Sequence, residues 1–296
     1  MKTLKAAVFG RSLDHSISPE VHSEIFKIMC QRIPSEYHAI QYGKVECDDE
    51  KEFRFQVQRG TEWGFTGINV TNPYKHTAAG MARDKDAVVR DMGSANTIRF
   101  GLSFTVASTD GPGFCLSIAK EFPGLDASNY RLLILGAGGA SRAVFHATKS
   151  MGWRNVTVAA RNVPAAKEAY SDAPDVQVIS LAEVTRDDGA QLVVQATPVG
   201  LKSSELIAEN FAWNAGDIAV DLVYNPIRTR FLDSASEQGA TAISGLGMLL
   251  EQAALSQHLW LTGREAKDSM LTPTEYNELK ESMSKILTAR WDAFAT

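Results

Sequence analysis

The sequence predicts an α/β protein, and two patterns carry that prediction. In the second half, near-continuous apolar segments such as "RLLILG", "NVTVAA" and "AQLVVQ" alternate with stretches of helical periodicity, which is typical of a parallel sheet covered on both faces. In the first hundred residues, short apolar runs such as "KAAVFG" and "GFTGINVT" alternate with amphipathic segments such as "PEVHSEIFKIM", which also indicates strands alternating with helices. The second half is therefore predicted to be a doubly wound domain.

Length and composition define the class of protein and of partner. The chain has 296 residues, 44% of them apolar, which is enough to fill a core in each of two domains. Its formal net charge of −5 and its lack of long Lys/Arg runs argue against a nucleic-acid partner, because neutralising phosphates takes clustered cations. No stretch approaches the roughly 20 apolar residues of a membrane span, and the opening "MKTLKAAVFG" lacks the apolar core of a signal peptide. A small-molecule ligand is favoured.

The cysteines and histidines favour a reduced compartment and no metal. Cys30, Cys47 and Cys115 are odd in number and widely spaced, which fits neither a disulfide framework nor a zinc site. We therefore expect a cytoplasmic protein. His15 and His22 have no third ligand at a usual spacing, so no metal is expected.

The segment "LLILGAGGASRA" has a strand, a tight turn and a helix start in the order that a dinucleotide site requires. Gly136 allows the turn, and Gly138 lets the backbone approach a pyrophosphate that faces the amides of the next helix. The third position of the generic pattern is Ser141 rather than Gly or Ala, a mild departure. The following strand ends in Ala160, Arg161 and Asn162 without an Asp or Glu for a ribose hydroxyl. Since Arg161 can pair with a 2′-phosphate or lie on the adenine, NADP is favoured over NAD.

The segment "HSISPEVHSEIF" crowds hydroxyls and imidazoles in front of a helical stripe. Pro19 suits the first helical position, which predicts Ser18 as the N-cap. Ser16 lies two residues earlier, so both hydroxyls could donate to one anion, such as a carboxylate, near the positive end of the helix. Simple capping is the alternative.

Three polar residues of the first half lie beside predicted strands or turns. Pro73 ends the strand "GINVT" and leaves Lys75 in the turn toward the next helix, a usual place for catalytic groups, although a surface cation is the commoner fate of a lysine. Asn96 precedes another short strand, and Asp110 precedes "GPG", whose turn formers would by themselves explain an aspartate.

The tail from "GLGMLLEQAALSQHLWLTG" to residue 296 is predicted to be helical with no further strand, and it could pack on either half. Gln252 interrupts an otherwise apolar stripe of Met248, Leu255 and Leu259 on this helix. A buried amide needs partners, which are either backbone groups or ligand hydroxyls.

These residues form a set of motifs with a familiar order. The motifs are "HSISPEVH", "INVTNPYK", "ANTI", "TDGPGF", "GAGGASRA", "QATPVG", "DLVYNP" and "GLGMLLEQAA". Over nearly its whole length the chain resembles the shikimate dehydrogenase family, NADP-dependent enzymes of aromatic amino-acid biosynthesis that reduce 3-dehydroshikimate reversibly to shikimate. Eight motifs in one order make chance similarity implausible.

The resemblance implies a division of the chain and a set of roles. It implies an N-terminal α/β substrate domain of residues 1–111 that the C-terminal helices, residues 247–296, rejoin, and a Rossmann-like NADP domain of residues 112–246, with the active site in the cleft. The implied catalytic pair is Lys75 and Asp110. The implied substrate ligands are Ser16 and Ser18 for the carboxylate, with Asn69, Thr71, Asn96 and Gln252 for hydroxyls. The implied cofactor-binding residues are Gly136, Ala137, Gly138, Gly139, Ala140, Arg161, Thr197, Tyr224, Gly245 and Met248.

Some positions depart from the family pattern. Ser23 replaces a usual Asn, Val106–Ser108 replaces Gly-x-Asn, and Ala165 occupies a position that is commonly basic in the nucleotide loop. NAD therefore stays possible as the cofactor. A quinate or broad-specificity dehydrogenase of the same superfamily, and a nucleotide-binding regulator without chemistry, are the alternatives. Either a monomer or a homodimer is compatible with the sequence.

Overall fold

The computed structural model describes residues 2–82, 87–102, 104–203 and 205–295. Contacts divide the chain into two compact units. The first contains Met1–Leu116 and Leu249–Met283, and the second contains Ser117–Met248 and Ser284–Thr296.

Strands and helices alternate through much of the chain. The elements up to residue 121 are β1 (Lys2–Gly10), α1 (Ser18–Arg32), β2 (Tyr37–Glu46), α2 (Glu50–Gln58), β3 (Gly67–Val70), α3 (Lys75–Met81), α4 (Ala87–Met92), β4 (Thr97–Arg99), β5 (Thr105–Ala107) and α5 (Asp110–Glu121). The remaining strands and α-helices are β6 (Tyr130–Leu135), α6 (Gly139–Ser150), β7 (Val156–Ala160), α7 (Val163–Ala169), β8 (Gln177–Ser180), β9 (Ala190–Gln195), β10 (Ile218–Asp221), α8 (Arg230–Glu237), β11 (Thr241–Ser244), α9 (Leu246–Thr262) and α10 (Pro273–Ala295). Short 3-10 helices cover Ala127–Asn129 and Leu181–Glu183.

The sheet of the first unit has the strand order β2-β1-β3-β4-β5. The first three strands are parallel, and β4 and β5 add antiparallel strands at one side. Alternate residues of β1 supply two cores: Ala7 and Phe9 pack into one cluster, while Leu4 and Ala6 pack into another. Because successive side chains of a strand point to opposite faces, both faces of β1 are covered. That arrangement explains its continuous apolar sequence.

The sheet of the second unit is parallel throughout, with the order β11-β10-β9-β6-β7-β8. This is the order of doubly wound dinucleotide-binding domains, in which the direction of winding reverses between the first and fourth strands of the sheet, here β6 and β9. Ligands of such sheets bind beyond the carboxyl ends of the strands at that reversal. The doubly wound fold predicted for the second half is confirmed.

The tail is helical, as predicted, with α9 and α10 and no strand among its described residues after Ser244. The apolar stripe predicted on α1 is also confirmed, since Val21, Ile25 and Met29 are buried. The hydrophobic face of α1 therefore packs into the interior of its unit.

Candidate active site

Lys75 and Asp110 form an ion pair in the first unit. The Lys75 Nζ atom lies 2.6 Å from Asp110 Oδ2, and the two side chains are only 15% and 12% exposed. Each is the first residue of its helix, α3 for the lysine and α5 for the aspartate. The second carboxylate oxygen, Oδ1, accepts a hydrogen bond from Asn96 Nδ2 at 2.9 Å. The carboxylate is thus held on both sides, and it orients the ammonium group beside it.

The segment after Asp110 is helical, so the interpretation of "GPG" as a turn is wrong. Pro112 lies in the first turn of α5, where its missing N–H would have no intrahelical partner. Gly113 serves a close approach: a Cβ placed there would lie 2.8 Å from both Cβ and backbone N of Gln252. The glycine therefore lets α9 bring Gln252 against the start of α5.

Asn96 links this pair to a buried network of amides and hydroxyls. Its Nδ2 also donates to Thr109 Oγ1 at 2.9 Å and faces Gln252 Oε1 at 3.3 Å, while its Oδ1 accepts from the Thr109 backbone N–H at 2.7 Å. Asn69 joins the network through its Nδ2, which lies 3.3 Å from the Asn96 carbonyl oxygen. The structure thus brings together five of the predicted site residues, namely Lys75, Asp110, Asn96, Gln252 and Asn69.

Ser16 and Ser18 form a separate hydrogen-bonded pair. The Ser16 hydroxyl donates to Ser18 Oγ at 2.9 Å and accepts the Ser18 backbone N–H at 3.2 Å. Ser18 is not the N-cap: Ile17 is, and no side chain caps α1 among the described residues. The reason is that Ser16 already accepts the Ser18 amide and Ile17 is fully buried, so the helix begins one residue earlier than predicted. The Ser18 hydroxyl therefore keeps its own proton at the helix start, while the Ser16 hydroxyl donates to it.

Two contacts hold the loop that carries these serines. The backbone N–H of Leu13 donates to Glu46 Oε1 at 2.8 Å, which ties the loop to β2. Thr71 packs at the beginning of the loop, because a Cβ on Gly10 would lie 2.4 Å from Thr71 Cγ2. No hydrogen bond among the described residues joins the serine pair or the Thr71 side chain to the Lys75–Asp110 network. The loop is nevertheless fixed to strands of the same unit.

In the second unit, the glycine loop lies at the reversal of the sheet. Gly136 has a positive φ of 111°, and a Cβ there would lie 2.9 Å from Thr197 Cγ2, which follows β9. Gly138 is the N-cap of α6, which has no side-chain cap among the described residues, and a Cβ at Gly138 would meet nothing within 4 Å. Open space before uncapped helix amides suits a pyrophosphate. Ala137, Gly139 and Ala140 complete this loop and the first turn of α6.

The contacts of the Ser141 side chain explain why a serine occupies this position of the glycine pattern. Its hydroxyl is fully buried and lies 2.6 Å from the Gly136 carbonyl oxygen, which can only accept, so the serine donates there. The Tyr170 hydroxyl, 2.7 Å away, must then donate to Ser141 Oγ. The buried serine therefore stabilises the glycine turn by a hydrogen bond to its backbone.

The other predicted cofactor residues lie at strand ends or in the segments that follow. Arg161 directly follows β7, is exposed, and makes no hydrogen bond or ion pair among the described residues. Tyr224 is half-buried three residues beyond the end of β10, and Met248 is half-buried in α9. Gly245 allows a close approach, because a Cβ there would lie 2.4 Å from the Leu222 carbonyl oxygen.

Asp221, the last residue of β10, is a buried carboxyl three residues before Tyr224. It accepts hydrogen bonds from the Val223 backbone N–H at 2.9 Å and from the Thr229 hydroxyl. Burial raises its pKa to about 7, and the two hydrogen bonds only partly oppose that effect. The carboxyl fastens both ends of the segment between residues 221 and 229.

Neither a metal cluster nor a membrane helix is found among the described residues. No three His, Cys, Asp or Glu side chains there lie together as metal ligands. No helix in the described ranges is both long and apolar enough to cross a membrane.

Comparison with known proteins identifies the family. The family model described as "Shikimate dehydrogenase substrate binding domain" matches residues 8–98. A protein of Rhizobium rhizogenes named shikimate dehydrogenase (NADP(+)) is 35% identical over 276 residues, which cover 90% of this chain and 93% of that protein. The chain belongs to the shikimate dehydrogenase family. The family resemblance seen in the sequence is thereby confirmed.

Solved structures support the shikimate dehydrogenase fold across the whole chain. A chorismate mutase/shikimate 5-dehydrogenase fusion protein from Clostridium acetobutylicum has a TM-score of 0.81 at 28% identity, covering 97% of this chain and 100% of that one. Shikimate 5-dehydrogenase from Thermus thermophilus, solved in complex with NADP(H) and shikimate, has a TM-score of 0.76 at 29% identity, covering 94% and 99%.

Three hydroxyl residues of the buried network were missed by reasoning from the sequence. Thr97, Thr109 and Ser256 are fully or almost fully buried and hydrogen-bond with one another at 2.8 to 3.4 Å. The spacing of Gln252 and Ser256 by one helical turn was an available signal, since residues four apart share a face of a helix. The two threonines adjoin Asn96 and Asp110 in sequence but gave no signal of their own.

Proposed function

We propose that this chain is an NADP-dependent shikimate dehydrogenase that interconverts 3-dehydroshikimate and shikimate in aromatic amino-acid biosynthesis. The observation that carries the proposal is the Lys75–Asp110 pair, 2.6 Å apart and continuous with the Asn96 and Gln252 amides. Family membership and the relatives named NADP(+)-dependent shikimate dehydrogenases support the same conclusion.

The substrate is a polyhydroxylated ring acid, and the first unit offers complementary groups. The carboxylate would bind at Ser16 and Ser18, where the Ser18 hydroxyl keeps its own proton to donate and the Ser16 hydroxyl can turn from Ser18 to the anion. The ring hydroxyls would be held by Asn69, Thr71, Asn96, Gln252 and Asp110. A second N–H of Gln252 Nε2 is available for this purpose, since the first donates to the Leu249 carbonyl.

Lys75 is the proposed proton donor and acceptor. NADPH, when bound, supplies the hydride that adds to the ring carbonyl carbon. The carbonyl oxygen gains negative charge as the hydride arrives, and Lys75 Nζ gives it a proton to form the alcohol. In the oxidation direction the neutral amine takes that proton back. Asp110 holds the amine in place and accepts from the substrate hydroxyl.

The glycine loop of the second unit fits the cofactor. The amides of Ala137, Gly138, Gly139 and Ala140 would face the pyrophosphate, and Gly136 with Thr197 shapes the turn beneath it. Arg161 has no protein partner among the described residues and would meet the 2′-phosphate or the adenine. Tyr224, Gly245 and Met248 are proposed to line the nicotinamide end.

We assign residues 1–111 and 247–296 to the substrate domain and residues 112–246 to the NADP domain. The protein is proposed to act in the cytoplasm, where its three free thiols, Cys30, Cys47 and Cys115, stay reduced. A monomer or homodimer is proposed.

Initial-rate kinetics test the assignment. The wild-type protein is expected to oxidise shikimate with NADP faster than quinate, or than shikimate with NAD, when NADPH formation is followed by absorbance. Lys75→Ala should lower kcat by at least about 10²-fold, the usual contribution of a positioned general acid, with the shikimate KM changed far less. Lys27→Ala removes an exposed lysine paired with Glu24 and should leave the rates unchanged. An inactive wild type, or full turnover by Lys75→Ala, would refute the proposal.

A further inference from the structure

Asn69 is the last but one residue of β3 and is 7% exposed. Its side-chain oxygen Oδ1 accepts a hydrogen bond from the Tyr42 hydroxyl at 2.8 Å. Its Nδ2 lies 3.0 Å from Ser256 Oγ, 3.3 Å from Thr97 Oγ1 and 3.3 Å from the Asn96 carbonyl oxygen. Every polar atom of this amide therefore has a protein partner.

The direction of each hydrogen bond around Asn69 follows from neighbouring groups that can only accept or only donate a hydrogen bond. The Asn96 carbonyl oxygen can only accept, so the side-chain atom that faces it must be the nitrogen. Ser256 spends its single proton on the carbonyl oxygen of Gln252, 2.8 Å away, so its oxygen also accepts from Asn69 Nδ2. The Tyr42 hydroxyl then has to donate to Oδ1. Both N–H hydrogens of Asn69 have acceptors inside the protein, so the group that Asn69 can offer a ligand is its oxygen, Oδ1.

Ring contacts among Tyr42, His22 and Trp260 hold the Tyr42 hydroxyl next to Asn69. The Tyr42 ring lies 4.2 Å from the His22 ring with an interplanar angle of 11°, and His22 stacks on Trp260 at 5.3 Å. Gln257 Nε2 donates to the His22 carbonyl oxygen at 2.7 Å and to His22 Nδ1 at 3.1 Å. Since the carbonyl fixes which end of the Gln257 amide is nitrogen, Nδ1 accepts and the proton of the neutral ring lies on Nε2.

The stack stays uncharged in the working range of pH. Burial lowers the pKa of His22 to about 3, and a hydrogen bond with the Asn69 side chain opposes that effect only in part. The neutral imidazole contacts both Tyr42 and Trp260, and these two rings lie 6.3 Å from each other. The position of the Tyr42 hydroxyl is therefore set by packing.

We propose that Tyr42 is a positioning residue for substrate recognition, which locks the Asn69 amide so that Asn69 presents only a hydrogen-bond acceptor to the substrate. Asn69 thereby selects a ring position that carries a hydroxyl able to donate. This inference rests on the proposed function, because it takes Asn69 as a ligand of the substrate.

A double-mutant cycle tests the coupling. Tyr42→Phe keeps the ring and removes only the hydroxyl, so the shikimate KM should rise about fivefold to tenfold, as expected for one buried hydrogen bond. The values of kcat and of the NADP KM should change less than about twofold on the same reasoning. Asn69→Ala should raise the shikimate KM further, and adding Tyr42→Phe to Asn69→Ala should have no additional effect. Effects of the two substitutions that multiply, or an unchanged KM in Tyr42→Phe, would overturn the proposal.

Substrate analogues test the acceptor role. We compare shikimate analogues in which one ring hydroxyl is replaced by fluorine, which accepts but cannot donate, or by hydrogen. At one ring position, the wild-type protein should bind the fluoro analogue as weakly as the deoxy analogue. Asn69→Ala should no longer distinguish a hydroxyl from fluorine at that position. Wild-type preference for fluorine over hydrogen at every position would contradict the acceptor assignment.

Two controls distinguish an effect on the Tyr42–Asn69 hydrogen bond from a general loss of stability and from failure of the proposed function. Tyr276→Phe removes the hydroxyl of a buried tyrosine in α10 and should leave the shikimate KM unchanged. If Tyr42→Phe does not fold, the analogue measurements on the wild-type protein and Asn69→Ala decide whether Asn69 acts as an acceptor. A wild type without shikimate oxidation would refute the proposed function at the start, before the cycle is measured.

Discussion

Asp221 predicts a pH dependence of stability that one substitution can isolate. The carboxyl is fully buried at the end of β10, and burial raises its pKa to about 7 from an ordinary 3.8. Between pH 4 and pH 7 the folded protein retains a proton that the unfolded chain has released. The free energy of unfolding therefore falls as the pH rises through this window, and it stays constant above the folded pKa.

The size of the effect follows from the shift. About three pKa units at 1.36 kcal/mol each give about 4 kcal/mol between the two ends of the window. Asp221→Asn cannot ionise, yet its oxygen can still accept the Val223 N–H, and the Thr229 hydroxyl can rotate to accept from the new amide. The variant should therefore gain about 3 kcal/mol of stability relative to wild type as the pH rises from 5 to 8, because about two of the three pKa units lie above pH 5.

Two measurements check this reasoning. Urea unfolding of both proteins at several pH values gives the difference in the free energy of unfolding, in which all other titrating groups cancel. Carbon NMR of labelled aspartate side chains, assigned by comparison with Asp221→Asn, should show a carboxyl that titrates near pH 7. A stability difference that is flat from pH 5 to pH 8, or a midpoint near the ordinary value, would refute the argument that burial outweighs the two hydrogen bonds.

Two further substitutions test a close approach at the start of α5 and a hydrogen bond beneath the glycine loop. Gly113→Ala would place a methyl group 2.8 Å from Gln252, so we expect a loss of about 1–3 kcal/mol in thermal or urea unfolding and a higher shikimate KM, despite the better helix propensity of alanine. Gly80→Ala, with nothing within 4 Å, is the matched control and should be neutral or stabilising; equal behaviour of the two would discredit the close-approach argument. Tyr170→Phe should cost about 1 kcal/mol by removing the donor to Ser141, and it should raise the NADP KM while the shikimate KM stays constant, which steady-state kinetics can separate.

Local sequence signals predicted the second unit well, because each step of its fold is encoded within a short stretch. An apolar strand, a turn glycine and a helix start occur together in "LLILGAGGASRA", and Gly136 adopts a positive φ of 111° in the turn that the sequence predicts. The strand order then follows from the repeated strand–helix pattern. The first unit was less predictable, since the antiparallel pairing of β4 and β5 depends on three-residue strands too short for a periodic signal.

Helix starts show where local rules fail. Ser18 and Pro19 satisfy the usual preferences for an N-cap and a first helical residue, yet α1 begins at Ser18 because Ser16 accepts its amide and Ile17 is buried. "GPG" after Asp110 has the composition of a turn, yet it starts a helix. At α1 the burial of Ile17 acts together with the local Ser16 hydrogen bond, and at α5 the close approach of Gly113 to Gln252 acts against the turn preference, which is of the order of 1 kcal/mol.

The polar network of the first unit could not be predicted, because its partners are remote in sequence and chemically ordinary. Gly113 and Gln252 approach each other only through packing of α5 against α9, and Ser256 reaches Asn69 from the same helix. A serine or threonine inside an apolar stripe has many satisfactory partners, including its own helix backbone, so its residue type does not identify one. Once the fold is known, single-role groups such as carbonyl oxygens determine the donor and acceptor roles at Asn69. The direction of hydrogen bonding at Asn69 is thus a property of the assembled unit, because it is set by partners from β2, α9 and the segment before β4.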